Sequence, residues 1–133
     1  MRRDVAEREL PWCAEHRTGV IVYSPMLSGL LSGAFTRERA AALPPNDWRS
    51  RAVNFQGEAL ERNLALVETL RAVAERHQAA VGAVAIAWTL AWRGVTGAIV
   101  GARNPGQVDG WIGAAALDRG TADLEEITAA SRR

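Results

Sequence analysis

The sequence contains no lysine, one cysteine and two histidines, and each scarcity excludes some chemistry. Cys13 has no partner for an internal disulfide, which fits a reducing compartment and predicts a cytoplasmic protein. His77 is far along the chain from Cys13 and His16, so these three residues do not form a zinc-type spacing. We therefore expect no metal site.

Long apolar segments and an excess of charge are also missing. The most apolar of the uncharged runs covers residues 79–92, which is shorter than the roughly 20 residues of a membrane-spanning helix. The charged N-terminus has no apolar stretch behind it, unlike a secretory signal. The net charge of +1 does not favour binding to nucleic acid or to an anionic membrane. We expect a soluble protein that binds neither nucleic acid nor a membrane.

Two short apolar runs rich in β-branched residues alternate with helical patterns. Residues 19–24 and 95–101 predict strands of the kind that is buried on both faces in parallel sheets. Residues 58–77 predict an amphipathic helix, whose apolar face holds Leu60, Leu64, Val67, Leu70 and Ala74. Residues 81–94 predict a more apolar helix, with Gly94 as its stop.

The remaining segments are less regular. A helix end over 5–17, interrupted or restarted at Pro11, precedes the first strand. Residues 25–33 are predicted as a loop or as a loop with one helical turn, and residues 35–57 as a long surface loop. The chain closes with helical patterns over 104–117 and 121–131. Thr121 is the predicted N-cap of the last helix, and Leu124 and Ile127 form its apolar stripe.

Strands that alternate with helices predict an α/β fold with parallel strands and right-handed crossovers. Two strands cannot close a barrel, and as an open sheet they leave hydrogen-bonding edges uncovered. The pattern therefore predicts part of a larger fold. It also suggests a homo-oligomer that forms through the exposed strand edges.

Both strands end in loops of small residues, at the edge where parallel α/β folds bind ligands. Free N–H groups at the helix start near Gln107 favour an anion, and arginine is suited to phosphate. An anion clamp and ordinary turns beside a solvated arginine explain these loops equally well. The residues concerned are Ser24, Ser28, Gly29, Gly101 and Arg103.

Four motifs in register resemble the C-terminal segment of an aldo-keto reductase, an NADP(H)-dependent (β/α)₈ TIM-barrel enzyme. They are GVIVYSPMLSGLLSG, NFQGEALERNLALVETLRAVAERH, GAVAIAWTLAW and IVGARNPGQV, within about residues 5–127. Their order and spacing match the seventh and eighth strand regions of that barrel. The resemblance implies that residues 1–133 form an incomplete barrel, with two parallel strands and flanking helices.

The resemblance assigns cofactor-binding roles for NADP(H). Tyr23 would stack on the nicotinamide, Gly101 and Arg103 would lie at the 2′-phosphate, and Gln107 would contact the adenine ribose or base. The loop over the pyrophosphate would contain Ser24, Met26, Ser28 and Gly29. Structural alternatives are a core position for Tyr23 and a turn cap for Ser24.

The chain departs from the family pattern at two points. Gly110 and Trp111 stand where the family often has an acidic residue and the asparagine that binds adenine. Trp111 could stack on adenine or shield it, but it cannot copy an amide. The catalytic aspartate, tyrosine, lysine and histidine of the family precede this segment, and Tyr23 is the only tyrosine here. We therefore assign no catalytic residue and expect this chain alone to be inactive.

Other candidate residues have simpler interpretations. Cys13 is expected to be a buried structural thiol, and Trp88 and Trp92, at i and i+4, are expected to be packing residues. Arg49 or Arg51 could lie near substrate or cofactor, although a solvated loop is the simpler reading.

The expected parent reaction is NADPH-dependent reduction of an aldehyde or ketone by hydride transfer. A small carbonyl substrate would bind only where another chain completes the barrel. The alternatives are a non-catalytic NADP- or phosphate-binding α/β module and a truncated remnant that acts only as an interaction fragment.

Overall fold

Two parallel strands surrounded by helices make up the computed structural model, which describes residues 4–118 and 120–132. The strands are β1 (Val20–Tyr23) and β2 (Val95–Ile99). The helices are α1 (Glu9–Glu15), α2 (Arg37–Ala41), α3 (Gly57–Arg76), α4 (Val81–Leu90), α5 (Pro105–Asp109) and α6 (Thr121–Ala130). Short 3₁₀ segments lie at Asp4–Ala6, Leu27–Ser32, Trp48–Arg51, Val53–Phe55 and Ile112–Ala115. None of the described helices is long and apolar enough to cross a bilayer.

The sheet is covered on one face only. Ala98 and the adjacent Val100 pack against α4 and the segment behind it, through Ala83, Ile86 and Ala114. On the opposite face Ile21 is 66% exposed and Ile99 is 61% exposed. The prediction of strands buried on both faces is therefore wrong for this chain, because no described element packs on the second face.

The main core lies between α3, α4 and α6. Four of the five predicted apolar positions of α3 are buried and Leu64 is partly buried, so its predicted face is confirmed. Trp88 is buried, donates from Nε1 to the Thr128 hydroxyl at 3.1 Å, and meets Trp92 edge to face with 5.8 Å between ring centroids. Both tryptophans are packing residues, as predicted.

Several boundaries differ from the sequence prediction. Helix α4 ends at Leu90, and Gly94, with φ of +95°, shapes the turn into β2. Thr121 is the first helical residue of α6 rather than its cap; the cap position is Gly120, which has no side chain to bond the helix. The predicted loop over 35–57 contains α2 and two 3₁₀ segments, while Pro11 is accommodated in the first turn of α1.

Helix α3 ends with a left-handed residue that is not glycine. Gln78 has φ of +52°, and the helix closes with hydrogen bonds from Gln78 N to Glu75 O and from Ala79 N to Ala74 O. Because an L side chain at positive φ costs roughly 1 kcal/mol, Gln78→Gly is expected to raise the midpoint of thermal unfolding by roughly 3–5 °C. Gln78→Ala is the control and should give no increase.

An ionic cluster ties the end of α3 to the start of α6. Asp123 Oδ2 lies 2.6 Å from His77 Nε2, and Asp123 Oδ1 accepts from Arg76 Nη2 at 2.7 Å. The hydrogen bond to His77 and then that to Arg76 lower the pKa of Asp123. A carboxylate whose pKa is lower in the folded state stabilises the fold above its unfolded pKa, and loses that effect as the pH falls through the folded value.

Asp123→Asn is therefore expected to be less stable than the wild type by about 1 kcal/mol above about pH 5. The difference should close as the pH falls through the folded-state pKa of Asp123, which lies below the ordinary value for an aspartate, because both chains then carry a neutral group. Urea unfolding measured from neutral pH into strong acid tests this. Glu125→Gln, at an exposed position near Asp123, is the control. A stability difference between Asp123→Asn and the wild type that persists in acid would contradict the charge-based explanation.

Candidate functional site

The parallel pairing brings the carboxyl ends of both strands to one edge of the sheet, where Tyr23 lies opposite Ile99. The loops that follow the strands enclose a groove of about 970 Å³. All eight residues predicted to bind a cofactor line this groove: Tyr23, Ser24, Met26, Ser28, Gly29, Gly101, Arg103 and Gln107. The structure thus brings together two sets of residues that are almost 80 positions apart in the chain.

The first loop has a strained backbone. Ser24, Leu27 and Ser28 have φ values of +56°, +48° and +54°, and Gly29 follows at +91°. Non-glycine residues in this region are sparsely populated and cluster at ligand sites. The Ser32 hydroxyl donates to Gly29 O at 2.6 Å, which fixes the shape of the loop.

Tyr23 lies on the uncovered face of the sheet, at the mouth of the groove. Its side chain is 80% exposed, so the alternative of a core aromatic is wrong. One face of the phenol ring is therefore available for a planar ligand.

The second loop is organised by its own side chains. Asn104 Oδ1 accepts from Gln107 N at 3.1 Å, and Gln107 Oε1 accepts from Arg103 N at 2.7 Å. The expectation of free N–H groups at this helix start is therefore wrong for these two amides, which already have partners. The guanidinium of Arg103 is exposed, and no atom of the described residues lies within 4 Å of a Cβ built on Gly101.

A third segment contributes to the groove, from the stretch that the sequence predicts only as a loop. Arg49 binds Asp47 through Nε and Nη2, with Nη2 2.6 Å from Asp47 Oδ2. Hydrogen bonds from Arg49, and the charges of Arg49 and Arg103, lower the pKa of Asp47 to about 2. Asp47 is therefore a permanent anion, and Arg49 lines the groove whereas Arg51 does not.

Trp111 lines the groove beyond α5 and packs with Ala83, Ile86 and Ala114. Its Nε1 is buried and has no hydrogen-bond partner among the described residues. A buried, unpaired donor is costly. Trp111, one of the two departures from the family pattern, thus lines this end of the groove with an aromatic ring.

The histidines and the cysteine lie elsewhere. His16 stacks on Trp12 with 4.0 Å between ring centroids, His77 belongs to the cluster with Asp123, and Cys13 is half-buried rather than fully buried as expected. Within residues 4–118 and 120–132, no three His, Cys, Asp or Glu side chains are grouped closely enough to share a metal ion.

The sequence reasoning missed some residues that line the groove. These are chiefly Arg39, Phe35 and Trp48, which come from the segment 34–51. This segment has no clean periodicity. The one available signal is that its arginines and aromatic residues follow the loop at the end of β1.

Comparison with known proteins gives a consistent result. The sequence profile of the Aldo/keto reductase family matches residues 1–132. A probable aldo-keto reductase 1 of Glycine max is 32% identical over 125 residues, covering 94% of this chain and 35% of that protein. An NADH-specific methylglyoxal reductase of Escherichia coli is 31% identical over 114 residues, covering 86% of this chain and 34% of that protein.

A solved structure extends the comparison to the fold. The glycerol dehydrogenase of Gluconobacter oxydans superposes with a TM-score of 0.87 at 29% identity, over 97% of this chain and 38% of that one. The expected partial (β/α)₈ barrel, with two parallel strands and flanking helices, is thereby confirmed. The chain spans little more than a third of the length of these relatives. It belongs to the aldo/keto reductase family.

Proposed function

We propose that the groove at the carboxyl ends of β1 and β2 binds NADP(H). The observation that carries this proposal is the convergence of all eight predicted residues on one groove of about 970 Å³. That volume suits an extended ligand of cofactor size.

The charges of the groove fit a polyanion. Arg39, Arg49 and Arg103 line it together with Asp47, which leaves an excess of two positive charges. Asp47 neutralises Arg49 through a bidentate pair. The groups available to an anionic ligand are then Arg39 and Arg103, and an arginine fork suits phosphate oxygens.

The reaction proposed for the complete barrel is reduction of an aldehyde or ketone, and the cofactor would supply the hydride. In this chain the exposed ring of Tyr23 would orient the nicotinamide, and the loop from Ser24 to Gly29 would lie along the pyrophosphate. No lysine is present to lower the pKa of a general acid. We therefore expect the chain alone to bind cofactor without turnover.

Cofactor choice must be measured, because the Escherichia coli relative is named as NADH-specific. Isothermal titration of the purified chain with NADPH, and separately with NADH, tests the proposal. Saturable binding that is stronger for NADPH is expected. Equal affinity would refute the assignment of NADP, and an absence of binding to both would refute the cofactor site in this chain.

A further inference from the structure

We propose that Arg39 is a second phosphate-binding residue of the groove, which holds the pyrophosphate of a dinucleotide while Arg103 holds its 2′-phosphate. The inference rests on the proposed function and deepens it. It concerns a residue of α2, in a segment that the sequence predicts only as a loop.

Three contacts position Arg39. Its backbone N–H donates to the Thr36 hydroxyl at 3.1 Å, and its Nη1 donates to Ala34 O at 3.4 Å. The guanidinium carbon also lies 5.8 Å from the ring centroid of Phe35, which is itself buried. A cation over an aromatic face is attracted to it, so the side chain is held in place before any ligand arrives.

The charge of Arg39 has no carboxylate partner among the described ion pairs. Arg37, two residues earlier, is paired with Glu61 at 2.8 Å, and Arg49 is paired with Asp47. Arg39 is thus a second positive group on the same groove, contributed by α2, whereas Arg103 lies on the loop after β2.

The position of Arg39 indicates which phosphate it would take. Ala34, which accepts its Nη1–H, also donates from its backbone N to the Ser32 hydroxyl at 3.4 Å, and that hydroxyl donates to Gly29 O. Arg39 therefore adjoins the first loop, which the proposed function assigns to the pyrophosphate. Arg103 lies on the second loop. A ligand with two separate phosphate groups engages both.

The test measures dissociation constants of the full chain and of Arg39→Ala for NADPH, NADH and adenosine 2′-monophosphate. The pyrophosphate is common to both dinucleotides, so Arg39→Ala should weaken NADPH and NADH alike, by roughly tenfold. Adenosine 2′-monophosphate carries no pyrophosphate, and its affinity should change by less than about twofold. Arg51→Ala is the matched control, because Arg51 is exposed in the same loop region but does not line the groove.

Each outcome decides the question. Unchanged NADPH and NADH affinities in Arg39→Ala, beside a wild-type chain that binds both, would overturn this inference and leave the proposed function standing. A loss for NADPH alone would also overturn it, because Arg39 would then act at the 2′-phosphate. Loss of all three ligands together would indicate a misfolded groove, and Arg39→Gln would then need to show the same selective loss for the inference to survive. A wild-type chain that binds no nucleotide refutes both.

Discussion

Arg103→Ala is expected to weaken NADPH binding by roughly 10- to 100-fold and to leave NADH binding within about twofold of the wild type. The guanidinium of Arg103 is exposed at the groove and, among the residues that the structure describes, has no bidentate carboxylate partner, unlike that of Arg49. A phosphate group forms charge-assisted hydrogen bonds with such a fork, and NADH lacks the 2′-phosphate that would receive them.

The substitution leaves the local backbone unperturbed. The hydrogen bond to Gln107 Oε1 comes from the main-chain N–H of Arg103, so an alanine retains it. Arg103→Lys is the control that keeps the charge and removes the fork, and its affinity for NADPH should be intermediate. Equal losses for NADPH and NADH would contradict a role at the 2′-phosphate.

Gly94→Ala is expected to destabilise the fold by about 2–4 kcal/mol and to lower the midpoint of thermal unfolding by roughly 10 °C. Gly94 has φ of +95°, and a Cβ at this position would lie 2.9 Å from the backbone oxygen of Leu10. Leu10 is buried in α1, so the added methyl group would push α1 away from the turn that leads into β2.

The matched control is Gly113→Ala. This glycine lies in the 3₁₀ segment Ile112–Ala115, its φ is outside the left-handed region, and the added Cβ meets no atom of the described residues within 4 Å. The free energy of unfolding of this variant should lie within about 0.5 kcal/mol of the wild-type value. If both alanine variants lost similar free energy of unfolding, the loss at Gly94 would be a general effect of replacing glycine in this chain and would not result from the contact with Leu10.

Sequence patterns predict the helices and strands well where the apolar residues recur with a clear period or form a short run. The strand over 19–24, the helix over 58–77 and the strand over 95–101 are found within one or two residues of the predicted bounds. Prediction fails where capping decides the boundary. Thr121, a residue type that often caps helices, lies one position inside the helix, and the non-helical cap position is Gly120, with φ of −52° and ψ of 139°.

Short motifs at the two strand ends predict eight site residues, and all eight line one groove. Their roles toward a cofactor remain predictions. The segment 34–51 could not be placed in the same way. Its α2 and 3₁₀ turns have no periodic signal, and they approach the groove only because Phe35 and Phe55 pack in the core, with 5.2 Å between their ring centroids.

The sequence by itself determined the order of strands and helices, the family, and the two loops at the strand ends. Apolar periodicity, glycine positions and short motifs are local properties that can be read along the chain. The tertiary structure alone decided which arginines remain available to a ligand. Arg37 and Arg49 are paired with Glu61 and Asp47, while Arg39 and Arg103 line the groove without such pairs in the described part of the chain. Ion pairing depends on distances between residues far apart in sequence, so only the folded chain fixes it.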